Sequence, residues 1–318
     1  MGKYKRDKGL QIPMEQRQKL NAKILYLVEN HEAELYGITP EDIFNVYMGN
    51  GGLHGLDRKD FQNFHAYTEA KKEVEQGQFF TPAEICEFLV ACVKPETEDV
   101  IYDLTYGKGD FFNYLPTESN IYGTEIDMKA VKIAQYLYPK ANLQYGDIRQ
   151  YSPVLSGDIV FGNPPFHLEW GTKEAPVSSQ MYYCKKAYQV LKNGGLLVLL
   201  VPESFLSDDF SNKGDIEEIN HMFNLIVQFS LPADAFKEYG VTSFRTKAMI
   251  LQKKSQYVTE RPYTTELEVL KRPQEIYQTY VLPVLQERKK HTAKIYFECQ
   301  NTDLEAKQKQ VFQEKSGE

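Results

Sequence analysis

No stretch of this 318-residue chain is long and apolar enough to cross a membrane as a helix, which takes about 20 consecutive apolar residues. Met1-Gly2-Lys3-Tyr4-Lys5-Arg6 is basic but runs into no apolar segment, so a secretory signal is not expected and a cytoplasmic location is. The four cysteines, Cys86, Cys92, Cys184 and Cys299, form no Cys-x-x-Cys pair. That spacing argues against a zinc site and for reduced thiols in a core. The chain also lacks a basic surplus: its net charge is −7, whereas a protein that grips nucleic acid unaided is usually basic. Internal repeats and low-complexity tracts are missing, and so is the Gly-x-Gly-x-x-Gly signature of nicotinamide-binding folds. What remains is ordinary globular material, 42% hydrophobic and 25% charged.

The patterning divides this material in three. Residues 1–76 read as a helical module. Leu20, Ile24, Leu27 and Val28 recur at helical spacing, and Thr39-Pro40-Glu41-Asp42 is an N-cap that opens a short helix through Phe44 and Met48. Gly49-Asn50-Gly51-Gly52 ends it, and a further helix is expected over Arg58–Glu75. Residues 77–256 alternate strands and helices. Strands are expected at Val100–Leu104, Ile121–Glu125, Asn142–Tyr145, Ile159–Phe161, Leu196–Val201, Leu225–Ser230 and Phe244–Gln252. Such alternation predicts an open α/β sheet, mostly parallel and seven-stranded, with ligands at the carboxyl ends of the strands. Residues 257–318 read as mainly helical.

The strand ends carry the chemistry. Asp158-Ile159-Val160-Phe161-Gly162 delivers Asn163-Pro164-Pro165-Phe166. The Asn163 side-chain oxygen and the Pro164 carbonyl can both accept hydrogen bonds from one planar amino group. The prolines fix the backbone and remove competing N–H donors, and Phe166 offers a face for a flat base. An Asn-Pro turn by itself is common, so the upstream strand ends decide its weight. The first expected strand ends in Asp103-Leu104-Thr105-Tyr106-Gly107-Lys108-Gly109-Asp110, either a plain turn or a loop that admits a ligand to the backbone. The second ends in Gly123-Thr124-Glu125-Ile126-Asp127, where Glu125 suits the hydroxyls of a ribose and Asp127 a helix cap. At the third, Asp147 either takes an amino group or merely closes a turn. Two basic groups are candidate nucleic-acid contacts or solvated faces: Arg245, Lys247, Lys253 and Lys254, then Arg288, Lys289, Lys290 and Lys294.

Taken in order, Gly77-Gln78-Phe79-Phe80-Thr81-Pro82, the Asp103 loop, the Glu125 and Asp147 strand ends and Asn163-Pro164-Pro165-Phe166 resemble the gamma-class amino-methyltransferases of DNA adenine N6. Leu191–Leu196 and Val201–Leu206 look like the stretch around that family's fifth strand, and Leu231-Pro232, Phe236 and Gly240-Val241-Thr242-Ser243 leading to Lys253-Lys254 are similar to the modification subunits of type I restriction systems. The resemblance implies a Rossmann-like class I methyltransferase core that uses S-adenosylmethionine and modifies a flipped adenine. It assigns Phe79, Thr81, Pro82, Asp103, Gly107 and Gly109 to the methionine end of the donor and Glu125 to its ribose, and it counts Ile126 and Asn163 among the donor-binding residues as well. Asp147 goes to the donor's adenine amino group, Ile148 or Phe161 to its ring, and Asn163, Pro164, Pro165 and Phe166 to the target base. His167 is assigned to a loop. Two departures stand out: the family often has proline after the first acid, where Leu104 stands here, and Lys108 and Asp110 are larger than the residues common there.

The region after Lys254 is short and not notably basic. Site choice is therefore expected from a separate specificity subunit or from a larger mobile-element or phage polypeptide, with low-specificity methylation as the alternative. Two other readings use the same residues: a protein-glutamine or RNA-base amino-methyltransferase, and a non-catalytic donor-binding scaffold.

Overall fold

The computed structural model describes residues 2–7, 12, 14–49, 61–67, 80–166, 168–172, 175–207, 213–237 and 245–290. After α1 (Met14–Glu29) and α2 (Pro40–Val46) come α3 (Ala83–Val93), β1 (Ile101–Asp103), β2 (Ile121–Glu125), α4 (Met128–Leu137) and β3 (Asn142–Tyr145). Next are β4 (Gly157–Gly162), a small hairpin of β5 (Glu169–Gly171) and β6 (Pro176–Ser178), then α5 (Ser179–Val190) and β7 (Leu191–Pro202). The chain continues through α6 (Lys213–Met222), β8 (Phe223–Ser230) and β9 (Thr246–Lys253). A last helix opens at Pro273–Ile276, widens at Tyr277–Val281 and runs on to 290.

Seven strands form one sheet in the order β3-β2-β1-β4-β7-β9-β8. β1 pairs in parallel with both β2 and β4, β4 with β7, and only β9 runs against its neighbours. The chain moves outward from β1 to β3 and then returns to the other side of β1. That places the topological switch point between β1 and β4, where an open sheet of this kind leaves its ligand crevice. Asp103 sits beside Phe161 in the register of this pair, so the first acid and Asn163 emerge from adjacent strand ends.

Alternation along the buried strands feeds two cores. Ile159, Phe161, Leu196, Val198, Leu200, Ala248 and Ile250 face one side, with α1 to α4 and the last helix. Val160, Leu197, Leu199, Val201, Met249 and Leu251 face the other, with α5 and α6. Covering both faces of parallel strands explains why they read as continuous apolar runs. The cap expected at Thr39 is present as a reciprocal pair: Asp42 N–H donates to Thr39 Oγ1 (3.1 Å) and Thr39 N–H to Asp42 Oδ2 (2.8 Å).

Of the tail expected to be mainly helical, 273–290 is helical and 291–318 lies outside the described residues, but one stretch departs from the expectation. Residues 260–272 contain no helix. They run extended beside β8, where Phe229 and Glu268 form a parallel bridge. The cause is the amide side chains on that edge. Gln228 Nε2 donates to the Thr264 and Glu266 carbonyls and Asn224 Nδ2 to the Thr259 carbonyl, which holds this stretch as an added strand-like layer. The helix expected over Arg58–Glu75 lies mostly outside the described residues, as do Phe79 and His167.

Candidate active site

At the carboxyl ends of β1, β2 and β4 lies a cavity of about 320 Å³. Of the residues singled out from sequence, Thr81, Asp103, Gly107, Glu125, Ile126, Asp147, Ile148, Asn163, Pro164, Pro165 and Phe166 line it together. Pro82 does not line it: it lies at the start of α3. Gly109 faces away, since a Cβ there would stand 2.5 Å from the Phe112 ring, and its φ of +84° also excludes most side chains. Phe161 is fully buried and stacked on Phe111 at 5.0 Å, so of the two candidates for the donor's ring only Ile148 reaches the cavity.

The acids are held by backbone donors. Asp103 is buried, and its Oδ1 accepts from Thr105 N–H (3.0 Å). Burial, with Glu125 and Asp110 nearby, raises its carboxyl to about 7. Glu125 accepts from Gly107 N–H and Asp127 N–H, each at 2.8 Å, and burial raises it too. Asp127 caps α4 by accepting from Lys129 N–H (2.9 Å), as its position in the motif suggests. Asp147 behaves differently. The Arg149 guanidinium forks its carboxylate, with Nε at 3.0 and 2.9 Å from the two oxygens, and holds it below the ordinary range.

At the target end, the Pro165 carbonyl is already engaged: Ser179 Oγ donates to it at 2.5 Å and Gln180 Nε2 at 3.3 Å. No donor among the described residues reaches the Pro164 carbonyl, which borders the same cavity. Phe166, Leu168 and Trp170 complete an apolar wall, and Trp170 on β5 is steadied edge-on by Tyr182 at 5.7 Å.

Several contributors were missed from sequence. Tyr183 on α5 is buried and joins the two strand ends, donating to the Phe161 carbonyl (2.5 Å) and accepting from Leu104 N–H (3.0 Å). Its hydroxyl fills the space that a Cβ at Gly162 would occupy, 2.5 Å away, so a glycine before Asn163 was the available signal. Arg149 and Trp170 gave no signal of their own. In the two basic groups, five residues are buried or have partners within the chain, at the surface in the case of Lys289, and Lys294 lies outside the described residues. Lys247 is buried, and Lys253 Nζ donates to the Tyr188 and Leu191 carbonyls. Lys254 pairs with Glu260, Arg288 with Asp158 and Lys289 with Glu96.

The family model for N-6 DNA methylases matches residues 61–268. The chain belongs to that family. Among relatives, it is 24% identical over 255 residues to the methylase subunit of the type I restriction enzyme StySJI of Salmonella typhimurium, covering 66% of this chain and 48% of the relative. It is 24% identical over 216 residues to the type II methyltransferase M.CvrRI of Paramecium bursaria Chlorella virus XZ-6E, covering 64% and 56%. The chain thus spans about half the length of these relatives. A Listeria monocytogenes protein described as a class I S-adenosylmethionine-dependent methyltransferase superposes with a TM-score of 0.52 at 18% identity, over 86% of this chain and 98% of that one. This likeness supports the class I fold. Among the described residues, no helix is long and apolar enough to cross a membrane.

Proposed function

We propose that this chain transfers a methyl group from S-adenosylmethionine to the N6 amino group of an adenine flipped out of DNA. The observation that carries the reading is that Asn163 and Pro164 line the same cavity as Asp103 and Glu125: among the described residues no donor reaches the Pro164 carbonyl, whereas the Pro165 carbonyl beside it is occupied by Ser179. The chemistry of the cavity fits the donor. Asp103, Glu125 and Asp110 surround it with carboxylates, and the raised Asp103 is relieved by a cationic ligand. Asp103 and Thr81 would hold its amino-acid end, Glu125 its ribose, Ile126 and Ile148 its ring, and Asp147 its ring amino group once Arg149 yields. Bound there, S-adenosylmethionine supplies an electrophilic methyl carried on a sulfonium.

The chain's own residues then act on the target. Adenine N6 is a poor nucleophile because its lone pair is shared with the ring. Hydrogen bonds to Asn163 Oδ1 and to the Pro164 carbonyl draw that nitrogen toward tetrahedral geometry and localise the pair, and Phe166 stacks on the base. Positioning and electrostatics thus do the work that a strong base does elsewhere. Unpairing the base is required because N6 of a stacked adenine cannot reach a recessed methyl.

Residues 77–256 serve as the catalytic core in this reading, with 1–76 and 257–318 as additions to it. Membership of the N-6 DNA methylase family favours DNA over a glutamine or RNA acceptor. Internal pairing of the basic groups supports a separate specificity subunit, or a larger mobile-element or phage polypeptide, as the source of site choice. The buried thiols suit a reducing, cytoplasmic setting. Incubation with methyl-labelled donor and unmethylated genomic DNA, followed by digestion to nucleosides, tests the reading. Labelled N6-methyladenine is the expected product. Donor binding with no label in DNA would overturn DNA methylation by the chain alone, and label in protein or RNA would reassign the acceptor.

A further inference from the structure

Lys108 stands between the two glycines of the loop, and it is not among the residues that line the cavity. Its ammonium is buried, 4% exposed. It donates to the Phe44 carbonyl (2.7 Å) and the Tyr47 carbonyl (2.9 Å) at the end of α2. These are carbonyls that the end of a helix leaves without an intrahelical partner, at the negative pole of its dipole. The same ammonium lies 3.4 Å from Asp110 Oδ1, 4.9 Å from the Phe44 ring centre and 5.7 Å from that of Phe80. Phe44 and Tyr47 belong to the N-terminal helices, whereas Asp110 and Phe80 line the cavity. One buried charge therefore touches both.

The loop is clamped from its other side as well. Gly107, directly before Lys108, donates its N–H to Glu125 at 2.8 Å. Gly107 and Gly109 both have positive φ, 57° and 84°, so the residue between them cannot shift without changing a turn that mostly glycine adopts. Residues 2–7 reinforce the link. Tyr4 N–H donates to Asn113 Oδ1 (2.7 Å) and Asn113 Nδ2 to the Tyr4 carbonyl (3.1 Å), in the turn that follows the loop.

We infer that Lys108 is a positioning residue that makes the N-terminal helices part of the donor site, so that α2 and the glycine loop order each other. The inference rests on reading the cavity as the donor's, and it does not depend on what accepts the methyl. Coupling of this kind is reciprocal: what α2 contributes to donor affinity, the donor returns as protection of α2.

The test is hydrogen exchange of the full chain with and without S-adenosylhomocysteine, together with calorimetric titration of the same ligand into wild type and Lys108→Met. In wild type, the ligand slows exchange at residues 40–48 as well as at 104–110. In Lys108→Met, affinity falls about tenfold, within the usual span of coupling energies, and protection of 40–48 disappears while that of 104–110 persists. A simple helix cap would lower the melting temperature of the variant and leave its affinity unchanged, and that result overturns the inference. If Lys108→Met does not fold, the wild-type exchange decides: no ligand-induced protection at 40–48 overturns it. Wild type that binds no ligand at all would sink the donor reading, and this inference with it.

Discussion

The two ends of the cavity are built on different physics. The acid end, around Asp103 and Glu125, consists of buried carboxyls held by main-chain N–H groups and raised above their ordinary range by burial. The target end, around Asn163 to Phe166, has apolar walls, two prolines and a main-chain carbonyl that no described donor reaches. One end waits for charge and the other for shape and two hydrogen bonds. Substitutions at the two ends should therefore separate binding from transfer.

The largest effect is expected at the target end. Asn163→Ala removes one of the two acceptors that prepare the nitrogen, and a preorganised group of that kind is worth about 100- to 1000-fold in rate. Methyl transfer should fall by that factor while donor affinity stays at the wild-type value. A matched loss of donor affinity would show that the two ends are not separable.

Next comes Asp103→Asn, which should weaken donor binding by about 10- to 100-fold, the value of a hydrogen bond to a charged group. Its pH dependence sharpens the comparison. In the folded chain Asp103 keeps its proton up to about 7, whereas an unfolded chain loses it near 4. Between those values the native state binds more protons, so stability falls as pH rises through this window and levels above it. The asparagine variant should thus gain stability over wild type, on the order of 1 kcal/mol or more at pH 8, and the gain should vanish near pH 4. A cationic donor prefers the ionised carboxylate. Its affinity for wild type should rise with pH up to about 7 and then flatten, whereas the variant should show a flat profile. Thermal melts and titrations at pH 5, 6, 7 and 8 read both quantities.

Tyr183 joins the ends. Tyr183→Phe leaves Leu104 N–H and the Phe161 carbonyl without their buried partner, at a cost of about 1 to 3 kcal/mol in denaturant unfolding. Because the hydroxyl holds the Asp103 loop against the strand that delivers Asn163, kcat should drop about tenfold, since small misplacements of reacting groups are expensive. Donor affinity should change less than kcat. Loss of stability alone, with kcat intact, would make the tyrosine a core residue with no bearing on alignment.

What was legible in the sequence follows from distance along the chain. Asp103, Glu125, Asp147 and Asn163 each follow a strand that the sequence pattern marks, and the ends of parallel strands converge by rule. The strands could be found, so the site could be found. Lys108 and Tyr183 bond to main-chain groups far away in sequence, Phe44 and Tyr47 in one case and Leu104 and Phe161 in the other. A backbone partner leaves no trace in residue type. The extended stretch over 260–272 was misread for the same reason, because the amides of Asn224 and Gln228 that hold it bond to its carbonyls. The basic groups were visible, but their pairing with Glu260, Asp158 and Glu96 required the fold.

Arg149 should give the smallest effect, and its sign is informative. The guanidinium is half exposed and forks Asp147, the carboxylate assigned to the donor's ring amino group. An exposed pair of this kind contributes about 0.5 kcal/mol or less to stability, so Arg149→Ala should melt close to wild type. Donor binding has to break the fork before Asp147 can accept from the ligand. Removing the arginine should therefore tighten the donor about twofold, which corresponds to the roughly 0.5 kcal/mol that such a pair is worth. Weaker binding in Arg149→Ala would mean that the guanidinium itself contacts the donor, and Asp147 would then be the residue that orients it. Calorimetry at two salt concentrations distinguishes the cases, because a gain that comes from breaking an exposed ion pair shrinks as salt screens the pair.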